Sequence, residues 1–198
     1  WLNTAVLQDK NISNPENYDL YSYRLNYKTN LDKISNNSEI YANSQFISGL
    51  YKNNLSLSKS TLNKKTKLKI QFLSLYRTKS TNYILYPELW DINKLNNRID
   101  LSIEHKYKYN NGSGVVNITS NNSTIGSDYS YNKLCLTSIN KTNINRLKLN
   151  TRVYIQIGSG ENWAKESKLH LAGANNEELM NNDFTRSNGI IPNEYTGY

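Results

Sequence analysis

Histidine, cysteine and carboxylate side chains do most of the acid–base, nucleophilic and metal chemistry of proteins. This chain of 198 residues holds two His, one Cys and sixteen Asp plus Glu. The lone Cys135 forms neither an intrachain disulfide nor a cysteine-based zinc site. A ribonuclease-type centre would need a base, an acid and a cation around a phosphate, and His105, His170, Glu104 and Arg152 are the residues that would have to supply them. Glu104 and His105 are neighbours in an alternating stretch, however, so they point to opposite sides of a strand. His105 falls with the apolar residues of that stretch, where a hydrogen-bonded structural role is the expectation. Its replacement by Gln should then alter stability rather than any activity. Gly158-Ser159-Gly160 has neither phosphate-loop spacing, and no βαβ pattern surrounds it, so it reads as a turn. Glu177-Glu178 reads as a solvated helix face. The sequence thus predicts no catalytic residue, no metal site and no cofactor.

Two sets of side chains are suited to binding. Aromatic rings stack on sugar planes while amides and carboxylates reach the hydroxyls, and Tyr83, Tyr86, Trp90 and Trp163 are the candidates for such glycan stacking. The second set is cationic. Between Ile40 and Pro87 there is no acidic residue, whereas Lys52, Lys59, Lys64, Lys65, Lys67, Lys69, Arg77 and Lys79 supply eight positive charges, as many as the whole formal net charge of +8. From Glu161 onward acidic residues outnumber basic ones, so the chain is electrically polar along its length. This asymmetry suits a polyanion such as nucleic acid or an acidic glycan, or head-to-tail contact between copies. Lys67 and Lys69 alternate with Leu68 and Ile70, which places the ammonium groups away from a core formed by the apolar pair. Changing Lys65, Lys67 and Lys69 to Glu should weaken any such association without unfolding the domain.

Strands must position these residues, because period two dominates the chain. Ile99, Leu101, Ile103, His105, Tyr107 and Tyr109 alternate with Asp100, Ser102, Glu104, Lys106 and Lys108. Tyr21 to Tyr27, Leu68 to Tyr76 and Val153 to Ile157 alternate in the same way, with shorter candidates at Ile40 to Ile47, Tyr83 to Leu85, Val115 to Thr119 and Tyr131 to Thr137. Asn110 to Gly114 and Asn121 to Asp128 are turn-rich separators. The pattern predicts one all-β domain over 1–198, an antiparallel β-sandwich or jelly roll of about eight strands. One or two short helices are expected within 161–182, and 183–198 forms an extended C-terminal arm. Ile103 is expected in the core, where an aspartate would unfold the domain.

Composition narrows the function classes further. The mean hydropathy is −0.73, yet 16 Tyr, 3 Trp and 3 Phe supply enough ring area for a core. The 33 Asn are as well explained by coding bias as by selection. No run approaches the roughly 20 apolar residues of a spanning helix, so no membrane span is expected. The sequence points to a non-enzymatic structural or attachment subunit of a larger assembly, of virion jelly-roll or surface-filament type, acting through contacts with copies of itself or other subunits at an extracellular surface or in a virion. A carbohydrate-binding β-sandwich and a basic nucleic-acid-acting protein, such as a ribonuclease, are the alternatives.

Overall fold

The computed structural model describes residues 2–8, 21–33, 35–47, 49–61, 63–78 and 90–168. Nine strands follow one another: β1 Leu2–Gln8, β2 Tyr21–Asn30, β3 Ser38–Ile47, β4 Leu50–Ser60, β5 Thr66–Arg77, β6 Leu95–Tyr109, β7 Gly112–Ser123, β8 Ser130–Ile144 and β9 Leu147–Asn162. Each pairs antiparallel with the next in an unbroken meander, and β1 and β9 are the outermost strands. The only helical element among the described residues is a 3-10 turn, Lys165–Ser167.

The all-β, antiparallel expectation thus holds. The described residues form one sheet, without the second layer that a sandwich or jelly roll requires. Two strands escaped the sequence reading. In β4 the polar Lys52, Asn53 and Asn54 interrupt the apolar positions, and in β1 the stretch from Leu2 to Gln8 is too short for alternation to stand out. Gly158-Ser159-Gly160 lies inside β9 rather than in a turn, and β9 continues through residues expected to open a helix. The segment Tyr83–Leu85, residues 169–182 of the stretch expected to hold short helices and the arm 183–198 lie outside the described residues.

Local chemistry explains the tight connections at one end of the sheet. Asn37, Lys64 and Asn145 adopt positive φ in the β2–β3, β4–β5 and β8–β9 turns, and asparagine tolerates this region better than most side chains. Asparagine abundance therefore has at least a local structural use. At the other end Gly160 has φ 141°, and a Cβ there would lie 2.3 Å from the Ser130 carbonyl oxygen, next to a register irregularity between β8 and β9. Gly160→Ala should cost about 1–3 kcal/mol. The check is the shift in denaturant midpoint, with Gly126→Ala, whose Cβ would meet only Asn97 Nδ2 at 3.5 Å, as the milder comparison.

Candidate functional site

Side chains alternate along each strand, so the cross-strand registers sort the sheet into two faces. One face carries Leu25 and Tyr27 of β2, Leu55 and Leu57 of β4, Leu68, Ile70 and Phe72 of β5, and Ile99, Leu101 and Ile103 of β6. It continues with Ile118 of β7, Leu134 of β8, and Val153, Ile155 and Ile157 of β9. All fifteen are exposed, from 36% for Ile99 to 62% for Ile157. The opposite face carries Asn43 and Gln45 of β3, Ser56 and Ser58 of β4, Arg98 and Asp100 of β6, Asn121 of β7 and Lys133 of β8, and every one of these is buried. The polarity is inverted relative to a water-soluble sheet.

The polar face is the concave one. Tyr131 Oη on β8 donates to Asn96 Oδ1 on β6 at 3.2 Å, across the whole width of β7. Two strand spacings amount to about 9.6 Å, and curvature toward this face brings the two side chains together.

Aromatic residues mark both borders of the apolar face. Tyr23, Phe46, Tyr51 and Tyr76 are direct cross-strand partners on β2 to β5, with successive ring centroids 6.1, 4.6 and 6.4 Å apart. At the opposite border Tyr107 and Tyr109 stack at 6.3 Å and lie over Gly114 and Gly112, whose missing side chains leave room for the rings. Between these borders the outward residues of β5 run from Tyr76 to Thr66, ten residues or about 33 Å of strand. At the 35–45° tilt of barrel strands that length projects to roughly 25 Å.

On the concave face many polar groups satisfy one another, although the buried Arg77 guanidinium and Asn54 Oδ1 have no hydrogen-bond partner among the described residues. Lys28 pairs with Glu39 at 2.8 Å, Arg98 with Asp100 at 2.9 Å and Lys106 with Glu104 at 3.2 Å. Asn121 donates to Asp100, and Tyr41 and Asn43 both donate to Asn26. Glu39, Asp100 and Glu104 are the only carboxylates that the strand registers place here, and each has a cationic partner. The cations are far more numerous: Arg24 and Lys28 on β2, Lys52 on β4, Lys67, Lys69 and Arg77 on β5, and Arg98, Lys106 and Lys108 on β6. Lys133 and Lys141 on β8 and Lys148 and Arg152 on β9 complete the set. Burial, reinforced by the neighbouring Lys67 charge, pulls the Lys69 ammonium below its ordinary pKa.

At one end of the concave face a segment of the chain packs over β6 and β8. Beyond β9, Trp163 stacks on Tyr131 with centroids 5.0 Å apart, and Ala164, Glu166 and Ser167 are buried. Glu166 accepts from Asn96 Nδ2 at 2.6 Å, and Ser167 Oγ contacts both Tyr131 Oη at 3.0 Å and Arg98 Nη1 at 3.2 Å. Trp90 packs nearby with Leu50, Leu73 and Leu75, its ring 6.0 Å from the buried Arg77 guanidinium. Lys165 anchors the segment to Asp91 at 3.0 Å, and Tyr129 donates to the same carboxylate.

Burial alone would raise the Asp91 pKa, but the hydrogen bonds and charge of Lys165, Tyr129 and Lys94 hold it below the ordinary carboxylate value. A depressed carboxylate contributes stability that is complete above its unfolded pKa and is lost as pH falls through the folded one. Docking of 163–168 should therefore loosen below about pH 4 in wild type. In Asp91→Asn the pH-dependent part should vanish, a difference readable from Trp163 fluorescence during acid titration.

The residues singled out from the sequence scatter over these features. Lys67 and Lys69 face the concave side, while Leu68 and Ile70 face outward: the alternation is as expected and the sheltered side is the other one. Ile103 is likewise 48% exposed rather than in a core. Lys52 lies on the concave face, Lys59 at the edge of the apolar face beside Leu68, and Lys64 and Lys65 in the β4–β5 turn. Trp90 and Trp163 turn inward, and Tyr83, Tyr86, Lys79 and His170 lie outside the described residues. His105 sits on the outer face, bonded through Nδ1 to Thr66 Oγ1 at 2.8 Å, with Glu104 on the other side. His105→Gln should thus change stability by no more than about 0.5 kcal/mol, as measured by chemical unfolding. The network of Asn96, Arg98, Asp100, Asn121 and Glu166 was not singled out, although Asp100 already stood in the strongest alternating strand and Arg98 lay just before its expected start at Ile99. No described group of His, Cys, Asp and Glu could hold a metal ion. Comparison with protein-family models, with curated proteins and with solved structures finds no match to this chain.

Proposed function

We propose that this chain forms part of the wall of a transmembrane β-barrel, with its apolar face against lipid and its concave polar face toward the interior. The inversion of polarity carries the reading: aliphatic side chains such as Leu55, Leu101 and Ile155 lie outside while Asn43, Ser56, Asp100 and Asn121 lie inside. In water this arrangement leaves an apolar patch spread over seven of the eight strands from β2 to β9, well beyond the few hundred Å2 usual for a soluble monomer. In lipid it is the expected arrangement.

Three dimensions support it. The described strands from β2 onward have 10 to 16 residues, enough for the 9–11 that a tilted strand needs to cross the hydrocarbon. The band of roughly 25 Å matches barrel outer surfaces, and aromatic borders correspond to the two interfaces. Lys59, at the end of β4, is long enough to extend its ammonium past the border into water. No helix among the described residues is long and apolar enough to cross a membrane, which leaves crossing by strands untouched.

The assembly subunit expected from the sequence is the second reading. It would cover the same face with a second protein sheet and so restore a sandwich, and the size and breadth of the patch suit it. The paired aromatic borders favour lipid. The test is to unfold the full chain in urea and dilute it into phospholipid vesicles or into buffer. A barrel wall gains β-structure with the vesicles, floats with them and resists alkaline extraction. A chain that instead folds in lipid-free buffer into a discrete soluble oligomer, and leaves vesicles on alkaline washing, is an assembly subunit.

A further inference from the structure

We propose that the concave face lines an anion-selective aqueous path, with Lys67 and Lys69 as its main selectivity-determining residues; this inference rests on the barrel-wall reading. Selectivity of a charged path follows the sign of the charge left over after internal pairing. Here Glu39, Asp100 and Glu104 are each neutralised by a neighbouring cation, while cations outnumber them on this face. Summed over the whole face, the surplus is therefore positive.

Whereas Arg77 and Lys133 on this face are buried, Lys67 and Lys69 carry part of the surplus where it stays partly open to water. They are successive inward residues of β5, about 7 Å apart along the strand, and both are partly buried. Their cross-strand partners are Ser60 and Ser58 on β4 and Glu104 and Ser102 on β6. Glu104 is already bound to Lys106, so the pair is flanked chiefly by hydroxyl groups that cannot cancel a positive charge but can help replace an anion's hydration shell. The end nearest these lysines opens into a polar cavity of about 380 Å3 whose charged walls are Lys64, Lys67 and Lys106 together with Asp32, Glu39 and Glu104. This mouth is balanced, and the cationic surplus lies beyond it. The docked segment Trp163 to Ser167 lies toward the opposite end, against β6 and β8. Small anions are the class of ion this geometry suits. The surplus is spread along a wall rather than concentrated in a pocket, which points to passage rather than tight retention.

The test is ion selectivity of the full chain in planar phospholipid bilayers under a potassium chloride gradient. Wild type should show a reversal potential on the chloride side, corresponding to a permeability preference for chloride of roughly threefold or more. The Lys67→Glu/Lys69→Glu variant should lose that preference or invert it. Lys67→Gln/Lys69→Gln, the milder change, should reduce it by about half, and circular dichroism in vesicles reports whether each variant has folded. Raising the salt should compress the wild-type preference, because the screening length falls from about 10 Å at 0.1 M to 3 Å at 1 M. Inserted wild-type protein that is unselective, cation-selective or non-conducting overturns the inference and leaves the barrel wall standing. Selective wild type with folded variants unchanged removes Lys67 and Lys69 from their role. Failure to insert at all overturns the barrel reading itself.

Discussion

Leu101→Arg is expected to destabilise the lipid-embedded protein by about 2–4 kcal/mol, the cost of a cation near the middle of the bilayer. Leu101 lies in the row Leu57, Ile70, Leu101, several residues from either aromatic border. An arginine there cannot bring its guanidinium to water without thinning the membrane around it. Its neighbour Ser102 turns to the concave face, so Ser102→Asn should change stability by less than about 0.5 kcal/mol. Ile103→Asp belongs to the same series and should cost less than arginine. It acts because it places a carboxylate against lipid, not because it disrupts a protein core. Urea unfolding from vesicles and pairwise comparison of midpoints reads all three. Equal effects at 101 and 102 would contradict the assignment of faces.

Arg98→Met should cost about 3–5 kcal/mol for a different reason. Removing one partner of a buried pair leaves the other charge uncompensated. Asp100 would retain Asn121 as a donor but lose the guanidinium 2.9 Å away, and Ser167 would lose the Arg98 contact that helps hold the docked segment. The double variant Arg98→Met/Asp100→Leu should recover much of the loss, because replacing both members removes the desolvated charge rather than stranding it. A double variant as unstable as the single one would show that Arg98 acts through Ser167 and the end of the chain instead of through Asp100.

Much of this architecture was legible in the sequence. The alternation from Ile99 to Tyr109 fixes a strand, and it fixes that Ile103 and His105 share a side while Glu104 takes the other. Period two is silent about which side is sheltered. The same Lys-Leu-Lys-Ile run that suggested a core under Leu68 and Ile70 fits equally well a wall with those residues outside. What decides is the opposite set. Ser56, Ser58, Asn43, Asn121 and Asp100 are small or mutually hydrogen-bonding groups that tolerate burial together, and only register shows that they converge. The tyrosine borders were hidden for a related reason: Tyr23, Phe46, Tyr51 and Tyr76 are far apart in sequence and become one row only when four strands align. A search for a long apolar run detects spanning helices, whereas a spanning strand needs outward apolar residues only at every second position. The docked segment was illegible because Trp163, Glu166 and Ser167 find their partners on β6 and β8, a packing that no local pattern encodes.

The most direct test of the two-sided wall is a scan of solvent exposure along β6. In a Cys135→Ser background, single cysteines at residues 97 to 106 carry a nitroxide label in reconstituted vesicles, and collision with molecular oxygen, which concentrates in lipid, is compared with collision with a water-soluble nickel complex. Labels at 99, 101 and 103 should collide with oxygen and be shielded from nickel, while those at 98, 100 and 102 should show the reverse or be shielded from both. Oxygen accessibility should therefore oscillate with period two and peak near Leu101. A scan with no oscillation, or with its oxygen maxima on Arg98, Asp100 and Ser102, would contradict a lipid-facing apolar side.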